Sequence, residues 1–271
     1  YSPRNKILGS SLLIEAFLYE EQTRRGVSLA HWAEFDDVAA HCTVCHRCEK
    51  PCPVDIDFGD VTIAMRNLLR KQGKQQFNPG TAAAMAFLTI KDPTFIKGIR
   101  EAMIRFGYAA QNQLYKLGKS LHLIQSQTAH PPATVHKPPV RTQIINFINK
   151  PMPGNLPKRT ARALLDIEDD KVIPVIRNPK LSPEESEAVF YFPGCGSERL
   201  FSQVGLATQA MLYEVGATTV LPPGYLCCGY PQTSAGQEDK GQRITTDNRV
   251  LFHRVANTLN YLDIKTVIVS C

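Results

Sequence analysis

The chain has 271 residues, 43% of them hydrophobic and 21% charged, with a formal net charge of +6. This composition excludes a disordered or fibrous chain, and the length allows one large or two ordinary domains with cores of their own. No apolar run reaches membrane-spanning length, and the opening residues do not read as a signal peptide.

All eight cysteines fall in two groups of four, which argues for metal sites in a reducing compartment and against a disulfide framework. The chain opens on Tyr1 and stops at Cys271, directly behind a strand-like run, Thr266–Ser270. It therefore reads as an internal piece of a longer protein.

Residues 10–24 predict a helix with serines at its start and Arg24-Arg25-Gly26 at its end. The stretch that organises the first half follows: Cys42-Thr43-Val44-Cys45-His46-Arg47-Cys48-Glu49-Lys50-Pro51-Cys52-Pro53. Its spacing, C-x2-C-x2-C-x3-C-P, is the run that bacterial ferredoxins use to hold a [4Fe–4S] cluster. Thiolate is the soft ligand that such iron prefers, and Pro53 turns the chain away after the last sulfur. Zinc is the rival ion, but its sites pair two knuckles separated by a dozen or more residues, whereas here four cysteines crowd into eleven. His46 reads as a loop residue or a donor beside the ligands, since the cysteines already suffice. His31, His41 and His253 show no partner spacing.

Beyond the loop, Asp57 or Asp60 caps a helix that stops at Gly73. Asn78-Pro79 and Asp92-Pro93 predict two more helix starts, each a capping side chain followed by Pro. The second of these helices carries Phe95, Ile96, Ile99, Met103 and Phe106 at helical spacing, a stripe expected to be core. Between Lys91 and Arg141 lie eight Lys/Arg against Asp92 and Glu101, the whole net excess of the chain. Such a region serves either as the solvated face of ordinary helices or as a surface for nucleic acid, anionic membrane or an acidic partner. Nucleic acid is disfavoured, because the region lacks aromatic interleaving and any recognisable motif.

Prolines thicken from about 129 to 158, as in an extended linker, and acidic runs at Asp166–Asp170 and after Pro183 lead to a boundary near 185. The second half then alternates. Ala188–Phe192 is a strand ending in Pro193-Gly194-Cys195-Gly196. A helix follows through Leu200, Phe201, Val204, Ala207, Met211 and Val215 to Gly216, and Thr218–Leu221 is the next strand. Leu226-Cys227-Cys228-Gly229 sits in the loop behind it, a helix covers roughly 243–260, and Thr266–Ser270 is the third strand. The order β-α-β-α-β predicts a parallel, Rossmann-like sheet whose ligand site lies at the carboxyl ends of its strands. Cys195, Cys227, Cys228 and Cys271 would converge there. No dinucleotide fingerprint is present.

On these residues, 1–74 resemble the second half of a two-cluster ferredoxin domain and 188–271 resemble the cysteine-rich CCG domain. That pattern runs Cys, a spacer of some thirty residues, Cys-Cys-Gly, a second spacer and Cys-x-x-Cys. Here 31 residues separate Cys195 from Cys227 and 42 separate Cys228 from Cys271, the second spacer being long. The pairing occurs in heterodisulfide reductase, anaerobic glycerol-3-phosphate dehydrogenase, and glycolate oxidase and lactate-utilisation iron–sulfur subunits. The first half is most similar to the C-terminal part of bacterial FAD-linked oxidases of D-lactate or glycolate dehydrogenase type.

The resemblance implies three regions: a helical [4Fe–4S] ferredoxin-type domain at 1–78, a helical and proline-rich connection at 79–184, and an incomplete CCG domain at 185–271. It implies that Cys42, Cys45 and Cys48 share a cubane with a cysteine upstream of Tyr1 while Cys52 serves a second cubane. A single local cluster held by all four remains the alternative. The CCG cysteines would hold a second cluster or zinc.

FAD would lie in another part of the protein, and a flavin domain or subunit and a quinone, cytochrome or disulfide acceptor would be the partners. The implied role is electron transfer from the oxidation of a 2-hydroxy acid, in the cytoplasm or at the inner face of the membrane, with peripheral association there. A catalytic CCG module of heterodisulfide-reductase type is the alternative; a nucleic-acid-binding protein with a structural metal site is the third. No catalytic residue is assigned.

Overall fold

The computed structural model describes residues 2–23, 36–40, 42–75, 79–122, 148, 156–181 and 187–270. Cys271, most of the proline-rich stretch and the expected helix end at Arg24-Arg25-Gly26 lie outside them. The chain divides into two compact units. The described residues of Tyr1–Pro79 and Tyr230–Gln242 form one, and those of Gly80–Ser126, Asn146–Gly229 and Arg243–Cys271 form the other.

In the first unit α1 (Pro3–Thr23) begins at Pro3 rather than at the serines, because proline fits the first helical position. A short α2 (Asp36–Ala40) precedes the cysteine loop. Behind the loop, α3 (Phe58–Lys71) is capped by Asp57, whose carboxylate accepts the Gly59 amide at 2.7 Å. Leu13 and Phe17 of α1 pack on Leu68 and Leu69 of α3.

The segment Tyr230–Gln242 is fastened along α3 by polar groups. Arg70 donates to the Gly236 carbonyl, and Asn67 and Glu238 bond each other in both directions, side chain to side chain at 3.1 Å and amide to side chain at 3.2 Å. At Gly236 a Cβ would lie 2.8 Å from the backbone of Arg66, so only glycine allows this approach.

In the second unit α4 (Pro79–Thr89) and α5 (Pro93–Ala102) come first, α5 capped by Asp92 as expected. A π-helical stretch, Met103–Tyr108, leads directly into α6 (Ala109–Ser120). The expected core stripe is corrected here. Of Phe95, Ile96, Ile99, Met103 and Phe106 only Ile96 is buried, packed near Phe87 and Tyr225, and the others stand exposed. The buried face of this run is drawn instead by Arg100 and Gln111.

After α7 (Ala161–Leu165) come β1 (Val175–Ile176), β2 (Ala188–Phe192), α8 (Ser202–Glu214), β3 (Thr218–Val220), α9 (Glu238–Thr258) and β4 (Thr266–Val269). The sheet order is β1-β3-β2-β4. β2 pairs in parallel with β3 (Val189 opposite Thr219) and with β4 (Phe190 opposite Val267), as the alternating pattern predicts. The sheet is mixed rather than purely parallel, because β1, which was read as part of the linker, adds antiparallel to β3. α9 starts at Glu238 rather than near 243. Its Phe252 meets Phe190 and Phe192 edge-on, with ring centroids 5.0 and 5.6 Å apart, over a core completed by Val220, Leu226 and Val255.

The helix expected behind Cys195 is also different. Residues Gly196–Leu200 form a separate π turn, the backbone breaks at Phe201, and α8 buries Ser202, Gly205 and Gln209 while Phe201, Val204, Met211 and Val215 face outward. Gly205 explains the inversion. A Cβ there would lie 2.8 Å from the Ser197 carbonyl, so the small and polar face is the one that can approach the turn.

Candidate metal centres

The loop Cys42–Cys52 is shaped by two residues in the left-handed region, Val44 (φ 54°) and His46 (φ 56°). That conformation is unusual for a β-branched residue and costs about 1–3 kcal/mol, so the surroundings must hold it. They do so from both sides. Tyr230 donates its hydroxyl to the Val44 carbonyl at 2.9 Å, and Val44 itself is buried. Arg66 donates to the carbonyls of Ala39 and Cys42, both at 2.7 Å, and with its other terminal nitrogen to Ser234 at 2.5 Å.

His46 lies between two oxygen partners: Nδ1 bonds Asp57 Oδ2, and Nε2 meets the Tyr230 hydroxyl at 2.6 Å. The hydrogen bond that Nδ1 donates to the Asp57 carboxylate raises the His46 pKa above its ordinary value. Burial pushes Asp57 up, yet His46 and the Gly59 amide outweigh it and hold the carboxyl below the usual range. A Cβ on Gly59 would stand 2.7 Å from His46 Nδ1, so the helix start leaves room for the ring by having no side chain.

The loop sulfurs are reachable. Cys42, Cys48 and Cys52 are half-buried and Cys45 is exposed. The Val44 amide points at Cys42 Sγ (3.4 Å) and the Ile56 amide at Cys52 Sγ (3.3 Å), while the Cys48 thiol faces Asp57 Oδ1 at 3.7 Å. Backbone N–H groups directed at sulfur are among the levers that tune an iron–sulfur centre. Among the described residues, the one trio of potential ligand atoms within 4.8 Å is His46, Asp57 and Asp60, not the cysteines. No three of the loop sulfurs thus lie within 4.8 Å of one another, and four soft thiol donors on one loop are the donor set of an iron–sulfur group.

The second set sits where the sheet predicts. Cys195 follows β2 and caps the π turn, Cys227 and Cys228 lie in the loop after β3, and the parallel strands bring both loops to one edge. Cys195 and Cys227 are buried with their sulfurs 3.7 Å apart, and Cys228 is half-buried. Hydrogen bonds from the Cys195 and Cys228 thiols, helped by the Gly229 amide and the Arg199 guanidinium, hold the Cys227 thiol down to about 3 against the opposing effect of burial. The loop is anchored by Asn248, which donates to the Cys227 carbonyl at 2.7 Å, and by Thr245 at the Cys228 carbonyl. Cys271 lies outside the described residues.

Behind Cys195 is a buried ion pair that sequence gave no reason to single out. Arg162 Nε meets Glu198 Oε1 at 2.5 Å, both side chains almost fully buried, and Arg162 also donates to the Pro222 carbonyl. Burial pushes the Glu198 carboxyl up to about 7 against the pull of Arg162 and Arg199. Tyr230, Arg66 and Arg162 are the residues that reading the chain missed. Only Tyr230 carried a signal, its place directly behind Cys227-Cys228-Gly229.

Comparison with known proteins adds the following. Residues 189–271 match the family described as the cysteine-rich domain, CCG. The chain is 21% identical over 237 residues to an uncharacterized iron-sulfur protein of Methanococcus maripaludis, covering 88% of this chain and 33% of that one. It is 22% identical over 253 residues to a probable glycolate oxidase iron-sulfur subunit of Bacillus subtilis, covering 93% of this chain and 48% of that one. The chain thus spans half the length of these relatives or less. No solved structure matches significantly.

Proposed function

We propose that this chain is the iron–sulfur, electron-transferring part of a flavin-linked oxidoreductase acting on a 2-hydroxy acid such as D-lactate or glycolate. In this reading 1–78 is a ferredoxin-type domain, 79–184 a connecting region, and 185–271 a Rossmann-like CCG domain. The observation that carries it is the cysteine loop. Four thiols lie on a loop folded by two left-handed residues, with backbone amides directed at two of the sulfurs. A relative whose printed name is a glycolate oxidase iron-sulfur subunit supports the flavin partner and the substrate class.

When bound, a [4Fe–4S] cluster would supply one-electron donor and acceptor chemistry at the loop. Cys42, Cys45, Cys48 and Cys52 supply the thiolates. Tyr230 and Arg66 hold the peptides between them, and His46, within the same loop, is fixed by Asp57. In the second unit the buried Cys195 and Cys227 and the half-buried Cys228 would supply thiolates for a further metal group. The depressed Cys227 thiol also favours a second reading, in which this set reduces a disulfide directly.

Anaerobic reconstitution with iron and sulfide, followed by iron counting and EPR of the reduced chain, tests the proposal. The expected result is a cubane signal that Cys45→Ser abolishes. The companion variant Cys52→Ser decides the ligand set: loss of the signal means one local cluster, and retention means that Cys52 serves another. Zinc with no iron under every condition would overturn the electron-transfer reading.

A further inference from the structure

The helical run Pro93–Ser120 carries two faces, and only one of them packs. Ile96, Arg100 and Gln111 are buried. Arg100 is tied down by the Arg199 and Leu200 carbonyls, the Pro157 carbonyl and the Ser202 hydroxyl. The other face begins with Phe95, Ile99 and Met103, four residues apart, and continues through Phe106, Leu114, Leu117 and Leu121 at helical spacings. Phe95 is 65% exposed, Phe106 69%, Leu117 57% and Leu121 58%. A run of aromatic and branched side chains this long on an open helix face is not the scattered exposure of an ordinary surface. At 1.5 Å per residue the run is roughly 40 Å long. No helix among the described residues is long and apolar enough to cross a membrane, so such a helix would lie along an interface rather than through it.

The charges say what covers it. Lys116 and Lys119 lie beside the stripe and are exposed, and Lys91 stands exposed just ahead of the helix start; Arg105, paired with Glu101, is not counted among the free cations. The acidic residues of the same run are already engaged: Asp92 caps α5 and Glu101 pairs with Arg105 at 3.6 Å. Lys97 is left out of the count because it pairs with Glu168. A second copy laid on this face would bring cations against cations. An anionic lipid surface accepts the phenyl and leucyl groups below its headgroups and the lysines at them.

We propose that the exposed face of Pro93–Ser120 docks this chain, in the plane of the interface, on an anionic lipid surface. The docking stands on the helix alone and does not depend on the electron-transfer reading.

Co-sedimentation of the full chain with vesicles tests it, using phosphatidylcholine alone and phosphatidylcholine with roughly a third phosphatidylglycerol. The expected result is binding to the second kind only, weakened by high salt. Lys116→Gln and Lys119→Gln should each weaken it about fivefold. Phe106→Ser combined with Leu117→Ser should abolish it, with circular dichroism and melting unchanged because both side chains are exposed. Iron content should be the same in every variant, which separates this test from that of the metal centre. Equal binding to both vesicles, or none to either, would overturn the proposal. So would a dimer in sedimentation velocity that Phe106→Ser abolishes, since that would assign the face to a second copy.

Discussion

Val44 illustrates how a single residue couples conformation to chemistry in this chain. Its left-handed backbone bends the chain between Cys42 and Cys45, and its carbonyl is held by Tyr230, 186 positions further along the chain. Tyr230→Phe removes a hydroxyl bonded to Val44 and His46 together and leaves the ring in place. The expected cost is about 0.5–1.5 kcal/mol in urea unfolding, with faster iron loss to a chelator from the reconstituted chain. Unchanged release and unchanged stability would show that the loop holds its shape without the strap. The cysteine spacing singled out the loop in sequence, and Asp57 was legible as a cap. The role of Arg66 was not, because an arginine inside an amphipathic helix looks like any solvated residue until its carbonyl partners are known.

Among the elements, α8 departs furthest from what its sequence predicts. Apolar periodicity points Val204, Ala207 and Met211 inward, but the close approach at Gly205 selects the opposite face. Gln209 is therefore buried with its amide unpaired, facing a small cavity shared with Arg162, Glu198 and Tyr191. Periodicity reports which side chains are apolar, not which side of a helix a neighbouring backbone can reach.

The ion pair beneath this helix has a measurable signature. Arg162→Ala strands a buried carboxylate and should cost about 3–5 kcal/mol in denaturant unfolding. Glu198 is raised by burial above the unfolded value of about 4.3, so the folded chain binds its proton first. Its stabilising contribution is complete below that value and is lost as pH rises through about 7. Glu198→Gln should therefore flatten the stability profile across that window, and a profile as steep as that of the unsubstituted chain would refute the assignment.

Over the whole molecule, the two cysteine sets belong to separate compact units. Cys227→Ser should then abolish metal in the second unit and leave the iron of the Cys42–Cys52 loop intact, whereas Cys45→Ser should do the reverse. Iron and zinc counting on both variants checks this, and equal loss in the two would show that the units assemble their metals together. The parallel strands and the convergence of Cys195 with Cys227 were legible in the alternation of strand, cysteine and helix. The division of the chain was less so, because the Tyr230–Gln242 segment leaves the sheet-bearing unit and returns to α3 through polar contacts that leave no periodic mark.

The sheet has one further consequence, for handling the chain. β1 is a two-residue edge, too short to recruit a neighbour, but β4 at the opposite edge is four residues long and shows Val267 and Val269 to solvent. An apolar strand with one row of unpaired amides is a template for adding another strand. Purified on its own at high concentration, this chain would lose material by edge-to-edge aggregation, and a lysine at position 267 or 269 is the simplest guard against it.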